Sequence, residues 1–245
     1  MSKRILVIGD SCRDVFVYCS ASRLCPDVPV PVLNILSKTE NPGMAKNLQR
    51  NIASLNVHCD IVTNANWQAY TKTRYMHNES NHMFMRVDSG EEGVSRYDVN
   101  KLCLDYDLIA ISDYDKGFLK EEDVEYICSN HKNVFLDSKK RLGEWANNCK
   151  YIKINEEEFD RSKNTMPKNL FNKTIYTKGS EGCFFNGENF PVEKVEVRDV
   201  SGAGDSFFAG LVCDYVTSED IKSAITWANQ CASKVVQRRG VSVIY

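Results

Sequence analysis

Asp199-Val-Ser-Gly-Ala-Gly-Asp-Ser-Phe-Phe-Ala-Gly210 is the stretch on which the fold turns. Two glycines, Gly202 and Gly204, stand where a strand-and-turn region opens a long apolar run. Glycine lets a backbone approach a partner closely. Residues 203–217 carry apolar side chains on most turns, which predicts a buried helix, and 219–237 predicts a second. A helix N-terminus offers unpaired N–H groups and partial positive charge. Gly202, Ala203 and Gly204 therefore predict an anion site suited to phosphate. Asp205 falls in the first helical turn. A carboxylate there can take a proton from a hydroxyl that attacks a phosphoryl group. The plainer reading of the same residues is a tight turn followed by an acidic first turn.

Working upstream, short apolar runs recur at Ile5–Ile8, Asp107–Ser112, Asn133–Asp137, Tyr151–Ile154 and Thr174–Thr177. Runs without polar alternation read as central, doubly covered strands. Helical patterns lie between several of them, as with Val124, Ile127 and Cys128 in residues 120–131. Alternating strands and helices predict βαβ units and a mostly parallel sheet. Ligands of such sheets sit beyond the carboxyl ends of the strands. Gly9-Asp10, Ser112-Asp113, Asp137-Ser138 and Asn155-Glu156 all fall at those ends.

Two regions break the alternation. Residues 14–36 place Pro26, Pro29 and Pro31 among β-formers, which predicts edge strands. Residues 72–88 predict a hairpin, with Lys72–Met76 and Met83–Val87 flanking a polar turn over His77–His82. Together they predict a small β-layer beside the main sheet, serving as a lid or a dimer surface.

The 245 residues suit one generous domain, and no internal repeat or long linker divides them. Lys+Arg 31 against Asp+Glu 33 leaves a net charge of −2. That balance gives no case for nucleic acid or a membrane surface as a partner. No apolar run is long enough for a spanning helix, and no signal-peptide pattern opens the chain. Ten cysteines without CxxC spacing read as free thiols in a reducing cytoplasm. GxxxxGK[ST], GxGxxG after the first strand, HExxH and the protein-kinase motifs are all missing.

DVSGAGDSFFAGLV resembles the C-terminal signature of the ribokinase-like (PfkB) carbohydrate kinases. Gly9-Asp10 with Asp14 resembles that family's sugar-contacting segment, Asn155-Glu-Glu-Glu158 its NxxE motif, and Thr177-Lys-Gly179 with Gly182 its nucleotide segment. Within the family, Ser22–Val32, Lys72-Thr-Arg74, Arg86-Val-Asp88 and Ser112-Asp-Tyr-Asp-Lys-Gly117 look most like the heptose-7-phosphate kinases. The resemblance implies a three-layer α/β/α sandwich with a mostly parallel sheet. It implies a single kinase domain over 1–245, with a β-lid at about 14–36 and 72–88 that often mediates dimerisation. It also implies ATP-dependent phosphorylation of a sugar hydroxyl with Mg²⁺, here the anomeric hydroxyl of a heptose 7-phosphate.

Roles follow from that resemblance. Asp205 would be the general base, with Gly202, Ala203 and Gly204 as anion hole. Asp10, Asp14, Gly43, Asn47 and Asp113 would border the sugar. Lys72, Arg74, Arg86 and Lys116 would meet its phosphate, for which a planar guanidinium is best suited. Lys139, Asn155, Thr177, Gly179, Gly182 and Asn229 would meet the nucleotide. Asn155 and Glu158 would hold Mg²⁺ through water. The sequence departs from the pattern at Pro42-Gly43-Met44-Ala45-Lys46-Asn47, where Met44 stands for a second glycine. It is also short for the family. Two other readings remain open: a kinase for a neutral sugar or nucleoside, and a non-catalytic binding homologue.

Overall fold

The computed structural model describes residues 3–245. In chain order its elements are β1 (Arg4–Gly9), β2 (Ser11–Ser20), β3 (Asn34–Met44), α1 (Ala45–Ser54), β4 (His58–Val62), β5 (Thr71–His77) and β6 (Met83–Ser89). There follow β7 (Leu108–Asp113), α2 (Glu121–Asn130), β8 (Val134–Ser138), β9 (Tyr151–Asn155), α3 (Glu156–Ser162) and α4 (Lys168–Phe171). The last are β10 (Thr174–Thr177), β11 (Cys183–Phe185), β12 (Glu188–Phe190), α5 (Ala203–Ser218) and α6 (Ile221–Val236).

The strands that read as unbroken apolar runs lie side by side in one eight-stranded sheet, ordered β12-β11-β10-β9-β8-β7-β1-β4. From β4 to β10 every pair is parallel; the β10–β11 and β11–β12 pairs are antiparallel, so β11 alone is reversed. Side chains alternate across the sheet. Ile5, Val7, Leu108 and Ala110 face one core with α1, α5 and α6. Leu6, Ile8, Ile109 and Ile111 face the other, with Val124, Ile127 and Cys128 of α2. Both faces are thus covered, giving three layers.

A second, four-stranded sheet has the order β3-β2-β5-β6. It corrects the expected layout in two ways. Its strands extend beyond 14–36 and 72–88, because β2 begins at Ser11 and β3 runs on to Met44. Pro26, Pro29 and Pro31 lie in the connection between β2 and β3, not on an edge strand, while β2 itself is interior and buried. The hairpin of β5 and β6 falls where expected. All ten cysteines are free thiols. No helix among the described residues is long and apolar enough to cross a membrane.

Candidate active site

Residues at or near the carboxyl ends of β7, β8 and β9 meet the start of α5: Tyr114 bonds Asp205, and Lys153, paired with Asp137, lies against Gly204. Gly202 caps that helix in the left-handed region at φ 80°. Only glycine takes this conformation without strain, so the sharp entry into α5 is written in the sequence. Ala203 N–H donates to the Val200 carbonyl at 3.2 Å. That N–H is thus engaged in the turn that opens α5.

Asp205 is buried in the first turn of α5. One carboxylate oxygen accepts from Asn47 Nδ2 at 2.7 Å and the other from the Tyr114 hydroxyl at 2.9 Å. Burial pushes its pKa up to about 6, and Asp137 adds to the rise; Asn47, Lys153 and Tyr114 pull the other way. A base poised near neutrality suits proton abstraction. Since only the ionised carboxylate accepts a proton, kcat/KM is expected to fall tenfold per pH unit below about 6. Asn47→Ala and Tyr114→Phe each delete a donor to the carboxylate and should move that limb to higher pH. A pH–rate profile with the limb unmoved in both variants would exclude Asp205 as the titrating group.

Several expected sugar contacts have other tasks. Asn47 holds Asp205, and Asn51 Nδ2 in turn donates to the Asn47 carbonyl at 2.9 Å. Asp10 accepts from the backbone N–H of Tyr114 and Phe118 at 2.7 and 3.3 Å. It therefore shapes the loop after β7. Asp113 also holds that loop, accepting from Lys140 Nζ at 2.8 Å, Ser138 Oγ at 2.6 Å and the Asp115 N–H at 3.0 Å. Asp14 pairs with Arg74 at 2.6 Å. Gly43 is needed beside it, because a Cβ there would collide with the Asp14 carboxylate.

The cations divide. Arg86 pairs with Asp88 on its own strand, and Lys116 pairs with Glu91. Lys72 is only 6% exposed and has no carboxylate partner among the described residues. Its Nζ donates to Met44 Sδ at 3.0 Å and lies over the rings of Tyr70 and Tyr114. Burial drives its pKa down. A buried ammonium without a counter-charge is a strong attractor for an anion.

On the far side of α5, Thr177, Gly179, Gly182 and Asn229 line one cavity of about 460 Å³. Ala203, Gly204 and Phe207 form its inner wall, and Val192, Val195 and Val197 its apolar rim. This volume suits a nucleotide-sized ligand. Asn229 Nδ2 donates to the Phe190 carbonyl at 2.9 Å and so braces the cavity wall. Asn155 and Glu158 are absent from the lining. They form the capping box of α3: Asn155 Oδ1 accepts from Glu158 N–H, and Glu158 Oε2 accepts from Asn155 N–H, each at 2.8 Å. Glu158 Oε1 accepts from Asn155 Nδ2 and from Lys139.

Two neighbours of Asp205, Tyr114 and Lys153, were given no role by the sequence reading, which placed Asp137 only at a strand end. Lys153 had a visible signal, a lysine inside an apolar parallel strand. Asp137 Oδ2 pairs with it at 2.8 Å, while Asp137 Oδ1 is buried without a partner.

The chain is 27% identical to the Bifunctional protein HldE of Helicobacter pylori strain J99 over 97% of its own length and 64% of that relative's. It therefore spans less than two thirds of that curated relative. Among solved structures it is similar to the Methanocaldococcus jannaschii nucleoside kinase, a ribokinase-family member, with TM-score 0.73, 17% identity and coverage of 98% and 93%. Arabidopsis thaliana ribokinase, solved with ribose and ATP, gives 0.71, 16%, and coverage of 100% and 95%. The fold is ribokinase-like. A family profile described as pfkB family carbohydrate kinase matches residues 43–244, so a helix entry built of Gly202, Gly204 and Asp205 sits in a chain that belongs to that family of carbohydrate kinases.

Proposed function

We propose that this kinase transfers a phosphoryl group from ATP to a phosphorylated sugar, with the anomeric hydroxyl of a heptose 7-phosphate as the acceptor. The buried, unpaired ammonium of Lys72 carries the choice of a phosphorylated acceptor over a neutral one. It stands on β5, on the same side as Asp14 and Arg74, and within reach of the ring of Tyr114, which itself touches Asp205. The motif likeness around Lys72-Thr-Arg74 and Ser112–Gly117 supports the heptose.

In this reading residues 1–245 act as one kinase domain. Asp205 takes the acceptor proton, and the Gly202 and Gly204 backbone at the start of α5 stabilises charge on the group in transit. The cavity bordered by Thr177, Gly179, Gly182 and Asn229 takes the nucleotide. The oxygen donors present fit Mg²⁺, a hard cation that keeps several waters. Asp137 Oδ1 is free to receive it, and Asn155 and Glu158 would act through water beside Lys139. Bound there, Mg²⁺ would neutralise phosphate charge. The second sheet closes over the acceptor as a lid, and its exposed Ile35, Leu36, Met83, Met85 and Val87 meet a second copy in a homodimer. The setting would be cytoplasmic.

ADP release with Mg-ATP tests the reading against heptose 7-phosphates, fructose phosphates, free hexoses, ribose and adenosine. Turnover is expected on a sugar phosphate. Lys72→Met should raise KM for that acceptor by about tenfold or more and leave any unphosphorylated acceptor unaffected. A preference for ribose or adenosine, indifferent to Lys72, would overturn the choice of substrate.

A further inference from the structure

A lysine in the middle of a buried strand needs a reason. Lys153 stands between Ile152 and Ile154 of β9, both fully buried, and is 4% exposed. Its Nζ lies 2.8 Å from Asp137 Oδ2 at the end of β8. On its other side is α5: a Cβ on Gly204 would stand 3.2 Å from the same Nζ. The ammonium is thus held between a carboxylate and the first turn of the helix. The fold does not require it, since an apolar pair of similar volume is commonly no less stable than a buried ion pair. An ammonium has three donors, and Asp137 takes one.

Its position is the informative part. Gly204 is a wall of the nucleotide cavity. The next residue is Asp205, the proposed base. Lys153 therefore sits at the junction between the donor and acceptor sides. Lys139, the other lysine here, is a third exposed and already tied to Glu158.

We propose that Lys153 is a further catalytic residue, its ammonium touching the terminal phosphate of bound ATP and the same group as it passes to the acceptor. The proposal rests on the kinase reading above. In the step, the acceptor oxygen bonds to phosphorus and its proton goes to Asp205. The bond from phosphorus to the bridging oxygen breaks, and its electron pair leaves on ADP. Lys153 keeps its own proton and donates hydrogen bonds to the non-bridging oxygens, where charge is spread. Asp137 fixes the ammonium through Oδ2.

The test uses the full chain with Lys153→Met and with Lys153→Gln, which keeps a donor for Asp137 but no charge. Adenosine, ADP and the β,γ-imido analogue of ATP are titrated by calorimetry, and kcat is measured with the best acceptor. Adenosine binding should be unchanged in both variants, which also reports a folded site. The imido analogue should weaken by about tenfold or more, and kcat should fall by about 100-fold. Analogue affinity and kcat both within roughly threefold of wild type would overturn the proposal, since that is less than one charged hydrogen bond is worth. Where Lys153→Met does not fold, Lys153→Gln decides. A wild-type chain that binds the analogue but phosphorylates no acceptor defeats the kinase reading alone; the binding arm still judges Lys153.

Discussion

Asp205→Asn is expected to lose turnover by about three orders of magnitude and to gain stability at the same time. The two effects share one cause. Burial raises the Asp205 pKa from 3.8 to about 6. The folded protein then holds a proton more tightly than the unfolded chain between about pH 4 and 6, so stability falls as pH rises through that window. Above it the folded state carries the whole penalty, about 3 kcal/mol for a shift of two units. Asparagine has no charge to desolvate and still offers an oxygen to Asn47. Urea unfolding at pH 8 should show the variant more stable by about 1–3 kcal/mol, with the advantage gone below about pH 4. A variant less stable at pH 8 would mean that Asn47, Tyr114 and Lys153 more than offset the burial of the carboxylate.

Gly182→Ala is expected to damage fold and nucleotide binding together. Gly182 has φ 88° and ψ −130°, a region that residues with a Cβ rarely enter. A Cβ there would also collide with the Phe190 carbonyl oxygen, which is backbone and cannot swing aside. The same carbonyl accepts from Asn229 across the cavity. Moving it disturbs the β11–β12 pairing and the brace at once. A loss of about 2–4 kcal/mol in thermal unfolding is expected, with ADP weakened by about tenfold or more. KM for the acceptor should hardly change, because the acceptor site proposed above lies on the other side of α5. Unchanged ADP affinity in the folded variant would place the nucleotide elsewhere.

Five adjacent strands of the central sheet, β1 and β7 to β10, were legible because they carry short apolar runs, whereas the partly exposed β4 and β12 and the three-residue β11 gave no such signal. The second sheet was legible only in part. β3 is exposed along Asn34–Glu40 and polar for much of its length, so neither alternation nor an apolar run announces it. The prolines were read as an edge because they stand among β-formers, yet they punctuate the connection between two strands. At the site, Gly202, Gly204 and Asp205 could be read because glycine turn and helix start are neighbours in sequence. The bond from Asn47 to Asp205 joins residues 158 apart and arises only from the packing of α1 on α5. Asp10 and Asp113 show the converse. Polar residues at strand ends were expected to face a ligand, and the loop they hold has its own unpaired N–H groups to satisfy.

Met44 is both the last residue of β3 and the cap of α1, with φ 61° and ψ −130° and no linker between the two. Beside it, Ala45 N–H donates to the Asp10 carbonyl at 2.9 Å and Lys46 N–H to Ser11 Oγ at 3.2 Å. Two passages of chain between the sheets are stitched into one seam. The seam is built like a crankshaft, with a strand of one sheet joined directly to a helix of the other layer. A tilt of the second sheet would turn the first residues of α1, and the third of these is Asn47, whose amide pulls the Asp205 pKa down against the effect of burial. If the second sheet closes on an acceptor as proposed, capture of the acceptor and adjustment of the base would be one mechanical stroke, transmitted through backbone.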